Sequence, residues 1–165
     1  MNRIPFRCLK CGECCKHLVG DRFGMPITPE EYWRLSLFAS RHGIDFQAKT
    51  LVPGVIGAKM YQMTQERCPF LDINNHCRAY HLRPLVCRMF PLHPFAVKNC
   101  TFLDKTLMKS IPIHLQIEFP FEMKSAVIHY TQVIQPILRE STWVYNLNQG
   151  WINRLNLTPF QVKVE

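Results

Sequence analysis

Four of the chain's eight cysteines lie within eight residues, in the motif Cys8-x-x-Cys11-x-x-Cys14-Cys15. Two thiols separated by two residues can turn toward one metal ion, and three at this spacing can bind three corners of an iron–sulfur cluster. The side chains of the adjacent Cys14 and Cys15 diverge, so one could bind while the other supports the site, joins a second site or reacts. Four thiols in eight residues are hard to explain by packing, and the motif therefore indicates a metal site.

A second group contains Cys68, Cys77 and Cys87, which are separated by eight and nine residues, and Cys100 lies apart from it. Cys68 precedes Pro69, like the last cysteine of many ferredoxin motifs. The chain around Cys77 and Cys87 is rich in proline and arginine, and apolar burial alone would not order it. A metal crosslink to the first group would explain its order. Cys100 either belongs to the site or packs as a small buried hydrophobe.

The cysteine count by itself would also suit four disulfides in a secreted chain. However, the first residues lack the apolar stretch of a signal peptide. A chain of 165 residues of which 47% are hydrophobic can also form a core without disulfide crosslinks. No apolar run approaches the roughly 18 residues of a membrane-spanning helix. These features predict a cytoplasmic protein whose thiols stay reduced.

The net charge of +8 arises from 20 Lys and Arg against 12 Asp and Glu. Ligating thiols are deprotonated, so part of this excess can balance a metal–thiolate site. Arg78, Arg83, Arg88 and His81 would suit an anionic cluster, although Arg83 and Arg88 could instead bind an anionic substrate or partner. The basic residues are scattered rather than arranged in a stripe, which disfavours a nucleic-acid partner.

Outside the cysteine motifs, the pattern of apolar, capping and turn residues predicts an α+β fold in one domain, residues 1–165. Thr28 and Glu31 form a capping box that begins a helix, with Pro29 at its first position. The apolar face of this helix includes Leu35, and the helix ends at Gly43. Residues 55–64 contain a strand, and the turn between Cys68 and Cys77 predicts paired short segments.

We expect an irregular, metal-centred, cysteine-rich portion with a few short strands over residues 6–97 and a mainly helical cover over residues 98–165. The cover contains a helical stripe over 122–140, which Pro136 should kink or shorten, and a possible helix over 143–147.

The segments FRCLKCGECCKH, CPFLDINNHCRAY and HLRPLVCRMFP together resemble the YkgJ-type CxxCxxCC cysteine-cluster family. The resemblance covers residues 6–94 and implies a zinc- or iron-chelating domain. A related domain occurs in flagellin lysine N-methylases. The positions that correspond to the family's cysteines are Cys8, Cys11, Cys14, Cys15, Cys68, Cys77 and Cys87.

The spacing favours an iron–sulfur cluster, most simply [4Fe–4S], over zinc. Zinc sites tend to use two Cys-x-x-Cys pairs, and only the first group has this spacing. Eight cysteines could also form two sites. The first hypothesis is a metal- or cluster-binding protein that acts in metal handling, redox chemistry or protein interaction. The alternatives are a zinc-binding structural or interaction module and a protein N-methylase-like enzyme that uses S-adenosylmethionine.

Overall fold

A computed structural model describes residues 3–16, 25–93, 96–97, 100–106, 116–141, 143–146 and 150–153. It confirms the mixed α and β class, with short strands in the N-terminal part and packed helices in the C-terminal part. The strands are β1 (Ile4–Pro5), β2 (Met25–Ile27), β3 (Ala48–Pro53), β4 (Ala58–Met63), β5 (Leu92–His93), β6 (Ala96–Val97), β7 (Ile117–Glu118), β8 (Trp143–Asn146) and β9 (Gly150–Asn153). The helices are α1 (Glu13–Lys16), α2 (Pro29–Arg41), α3 (Leu85–Met89), α4 (Thr101–Thr106), α5 (Phe121–His129) and α6 (Gln135–Glu140).

Helix α2 begins and ends where the sequence predicted. The Thr28 hydroxyl accepts the Glu31 backbone N–H at 3.2 Å, and the Glu31 carboxylate accepts the Thr28 N–H at 2.9 Å. This reciprocal capping satisfies two N–H groups that the first helical turn leaves without partners. At the other end Gly43 has a φ of +60°, a conformation that glycine adopts without steric cost. Leu35 and Ala39 are buried on the predicted face.

An antiparallel sheet in the order β2-β4-β3 separates two hydrophobic clusters. The strand predicted within 55–64 is β4, while its partner β3 was not predicted. Ile27 and Met63 pack with α2 on one side of the sheet, whereas Leu51, Val52 and Met60 pack with α3 and the C-terminal helices on the other. The sheet thereby holds the N-terminal and C-terminal parts together around two cores.

The predicted stripe over 122–140 forms one helical run that changes its hydrogen-bonding pattern in the middle. Helix α5 is followed by a π-helical turn, Tyr130–Ile134, and then by α6, and the Gln135 N–H donates to the Tyr130 carbonyl. Pro136 lacks an N–H and its ring would clash with the carbonyl four residues earlier in a regular α-helix. The wider π turn directly before Pro136 accommodates it. Met123, Ala126, Tyr130 and Ile134 are buried, as the stripe predicted.

The region of the second cysteine group contains short paired segments, as predicted. Leu71 and Cys77 form an antiparallel bridge, and the Arg78 N–H donates to the Phe70 carbonyl at 2.8 Å. The Asp72 carboxylate accepts the N–H groups of Asn74 and His76, each at 2.8 Å, which closes the turn. The following chain forms a 3₁₀ turn at 80–82 and the five-residue α3.

The helix predicted over 143–147 is wrong. Residues 143–146 form β8, which pairs antiparallel with β9 in the register Val144↔Ile152. The segment Trp143-Val144-Tyr145 is aromatic and β-branched, a composition that favours strands once a partner strand is present. Of the helices in the described ranges, none combines the length and apolarity needed to cross a membrane.

Candidate metal centre

Four cysteines line a single cavity of about 630 Å³, which we call the cysteine cavity. Cys8 and Cys11 come from the N-terminal loop, Cys87 from α3 and Cys100 from the residue that precedes α4. The cavity is completed by residues of α5 and of the segment 80–90. Three separate segments of the chain thus contribute thiols to the lining of this cavity.

A parallel strand pair holds the start of the N-terminal loop beside α4. Ile4 pairs with Ile117, and the Phe6 N–H donates to the Glu118 carbonyl at 2.9 Å. The Phe6 ring packs edge-on against Phe102, with ring centroids 5.2 Å apart. Because Phe102 follows Cys100 and Phe6 precedes Cys8 by two residues, this contact brings both cysteine segments to the same cavity.

The middle of the loop turns at Gly12. Gly12 has a φ of +72°, and a β-carbon placed on it would lie 2.9 Å from the Asn75 β-carbon. Helix α1 begins directly after this residue, where the Cys15 N–H donates to the Gly12 carbonyl at 2.9 Å. Gly12 is therefore required both for the backbone conformation and for the close approach of the 72–76 turn.

Replacing Gly12 with alanine is expected to lower the free energy of unfolding by about 1 to 3 kcal/mol, because the new β-carbon meets both a disfavoured φ and Asn75. Urea denaturation would measure the loss. Adding Asn75→Gly removes the opposing β-carbon, and the double variant should recover part of the stability. Equal stability of G12A and the unmodified protein would show that neither constraint operates.

Sulfur contacts and one buried carboxylate position the walls of the cavity. The Cys11 sulfur lies 3.7 Å from the Thr101 hydroxyl, and the Cys87 thiol donates to the Met25 sulfur at 3.6 Å. The Leu85 N–H, at the start of α3, donates to the Glu31 carboxylate at 2.7 Å. Glu31 thus caps its own helix and also fixes the helix that contains Cys87.

The other described cysteines lie in a different environment. Cys15, Cys68 and Cys77 pack in the hydrophobic cluster that contains Ile27 and Leu35, and Cys68 is only 8% exposed. The Cys68 N–H donates to the Cys15 carbonyl at 2.8 Å, which ties the two segments together through the backbone. This group is next to α2 and its sheet rather than on the cysteine cavity.

The seven predicted metal-binding cysteines are therefore divided between two environments. Cys8, Cys11 and Cys87 line the cavity, whereas Cys15, Cys68 and Cys77 pack in the core, and the Cys14 side chain is outside the described part of the structure. Among the side chains that are described, no three from His, Cys, Asp and Glu are arranged to hold one ion. Cys100, which the sequence left unassigned, joins the cavity group.

Positive side chains contribute to the cavity wall beside the thiols. Arg83 and Arg88 both line it, as does one carboxylate, Glu122. The Arg83 guanidinium carbon lies 3.7 Å from the centroid of the Tyr80 ring, and its Nε donates to the Tyr80 carbonyl at 3.1 Å. Such cations favour bound anions nearby. Arg78 and His81, which the sequence also suggested, are exposed and do not line the cavity.

The comparison with protein families agrees with the cysteine pattern. Residues 7–110 match the model of the CxxCxxCC family, described as "Putative zinc- or iron-chelating domain". The chain belongs to the CxxCxxCC family. The matched range includes all eight cysteines and extends beyond the resemblance seen in the motifs, so that it reaches Cys100 and α4. No curated protein and no solved structure matched the chain.

The sequence left Cys100 open between a ligand and a small buried hydrophobe, and the structure places it in the lining of the cysteine cavity. Its distance from the other motifs gave no spacing signal, but the apolar pattern Phe102-Leu103 directly after it indicates a buried helix face. Leu103 is indeed buried, and Cys100 packs against the same cluster. Glu122 and His129 line the cavity because α5 packs beside it. Nothing in the sequence around these two residues indicated that position.

Proposed function

We propose that this CxxCxxCC protein binds an iron–sulfur cluster in the cysteine cavity through Cys8, Cys11, Cys87 and Cys100. The observation that supports the proposal is the presence of four thiols from three separate segments on one cavity. Thiolates are the ligands that both iron–sulfur clusters and zinc prefer, so the chemistry of the donor set suits either. A cavity of about 630 Å³ beside two arginines favours an anionic multi-atom cluster over a single ion.

The proposed site joins the two portions of the chain. Cys8, Cys11 and Cys87 belong to the cysteine-rich portion, whereas Cys100 begins the helical cover, so ligation by all four would crosslink both. Metal binding that needs a folded site contributes directly to folding stability. A bound cluster would supply one-electron redox chemistry, and the site requires a compartment that keeps thiols reduced, such as the cytoplasm.

Metal analysis of protein purified without oxygen tests the nature of the site. We expect brown protein with visible absorption and equal amounts of iron and acid-labile sulfide, because a cubane cluster contains both in equal number. Colourless protein with stoichiometric zinc would overturn the cluster and support the zinc module. Protein that contains neither metal and whose thiols all react would refute the metal site itself.

The role of the holoprotein can be tested separately. A protein N-methylase-like enzyme would consume S-adenosylmethionine in the presence of a protein substrate, whereas a metal-handling, redox or interaction protein would not. This chemistry would need an open coordination position or a thiol that does not ligate, for which Cys15 is a candidate. Product analysis by mass spectrometry on metal-loaded protein distinguishes the two classes.

A further inference from the structure

The lining of the cysteine cavity also contains side chains whose chemistry differs from that of the thiols. Phe6, Phe90 and Phe102 contribute apolar surface, and Arg83 and Arg88 contribute positive charge. Protein cavities of about 300 to 1,000 Å³ that are mostly apolar, with a few polar groups, are typical of small-molecule sites. The volume of about 630 Å³ lies within this range.

Arg83 is held in a defined orientation before any ligand arrives. Its guanidinium stacks on the Tyr80 ring, and Nε donates to the Tyr80 carbonyl, so the two terminal nitrogens remain to bind a ligand. Fixing the planar group reduces the side-chain entropy lost on binding. A stacked arginine can bind a carboxylate or phosphate through two parallel hydrogen bonds.

In the described part of the chain, neither Arg83 nor Arg88 forms an ion pair. The two ion pairs found there involve Arg34 and His76 instead. Glu122 contributes one opposing carboxylate to the same cavity. The two guanidinium groups outnumber this carboxylate, so the charged side chains of the lining other than the thiols carry a net positive charge. An anion that enters the cavity would therefore be attracted to it.

We propose that the cysteine cavity binds a small organic oxyanion, whose carboxylate or phosphate contacts Arg83 and whose apolar body packs against the phenylalanines of the lining. The proposal uses the arginines and phenylalanines of the lining and not the thiols, although a cluster bound by the thiols would occupy part of the same cavity. It differs from a role in which the arginines only balance the charge of a cluster. If Arg83 binds an oxyanion, its substitution should weaken oxyanion binding, whereas if it only balances the charge of a cluster, its substitution should lower the metal content.

Calorimetric titration of the full-length protein with phenyl phosphate tests this site. We expect saturable binding of phenyl phosphate, weaker binding of inorganic phosphate, which lacks the ring, and no binding of benzyl alcohol, which lacks the charge. R83Q should weaken phenyl phosphate binding about 10- to 100-fold, because a hydrogen-bonded charged pair is lost. The affinity of R83K for phenyl phosphate should lie between those of R83Q and the unmodified protein, since lysine retains the charge without the planar donors.

The matched control is Arg41→Gln, an exposed arginine in the last turn of α2 that does not line the cavity. It should bind phenyl phosphate like the unmodified protein. Equal weakening by R41Q and R83Q, or no binding of phenyl phosphate at about 1 mM, would overturn the proposal. So would an R83Q protein that keeps phenyl phosphate affinity but loses metal, because Arg83 would then serve the metal. Metal content measured on the same samples keeps the two proposals separate.

Discussion

Alanine at Cys87 is expected to reduce the metal content of the purified protein to background. The same result is expected for Cys8, Cys11 and Cys100, because each contributes one of the four thiols on the cysteine cavity. Loss of one of four ligands removes a metal–sulfur bond and leaves the remaining thiolates with an incomplete site. Iron, zinc and sulfide analysis of each variant, purified without oxygen, measures the effect.

Cys68→Ala and Cys77→Ala are the matched controls. Both cysteines pack in the cluster beside α2, away from the cavity, so these variants should retain metal close to the level of the unmodified protein. Cys68→Ala should instead lose roughly 1 kcal/mol of stability, since it removes a buried sulfur. If C68A or C77A lost all metal while C100A kept the metal content of the unmodified protein, the site would lie at the cysteines that pack beside α2. The assignment to the cysteine cavity would then be refuted.

Glu31→Ala should lower the free energy of unfolding by about 3 kcal/mol, the largest stability effect that we expect from a single polar side chain. Glu31 is 4% exposed, and its two carboxylate oxygens accept the N–H groups of Thr28 and Leu85. Its removal leaves the Leu85 N–H at the start of α3 without its acceptor. Because α3 contains Cys87, metal retention should weaken as well. Thermal or urea denaturation combined with metal analysis tests both effects.

Two substitutions near Glu31 serve as references for the stability loss expected of Glu31→Ala. Thr28→Ala removes the cap side chain alone and should cost about 1 kcal/mol. Glu30→Ala removes an exposed carboxylate whose contact with Arg34 spans 3.7 Å, and it should change stability by less than about 0.5 kcal/mol. If E31A were no more destabilising than T28A, the bond to Leu85 would contribute nothing and the link between α2 and α3 would be wrong.

Features that depend on neighbours in sequence were predictable. The Thr28–Glu31 capping box, the turn between Cys68 and Cys77 and the buried stripe from Met123 to Ile134 were all confirmed. Each of these rests on interactions over at most about ten residues, where spacing alone determines which groups can meet. The dense cysteine motif likewise indicated the CxxCxxCC family before the fold was known.

Strand pairing was the weakest point of the sequence analysis. Strand β3 was missed, and Trp143–Asn146 was assigned to a helix although it forms β8. Short strands acquire their conformation from the partner strand and from burial, so the same residues can suit either structure until that partner is known. The π turn before Pro136 also combines a local cause, the missing N–H, with the packing of its first and last residues, Tyr130 and Ile134, in one hydrophobic cluster.

The sequence by itself determined that this protein has a thiol-rich centre, a capped helix and a helical C-terminal segment, because each depends on residue chemistry at short range. Only the tertiary structure decided which thiols share a cavity. Cys100 lies 89 positions after Cys11, yet both line the same space, while Cys15, four residues after Cys11, packs in another core. The β1–β7 pairing and the bond from Glu31 to Leu85 produce this division, and such long-range contacts form only when separate elements pack together.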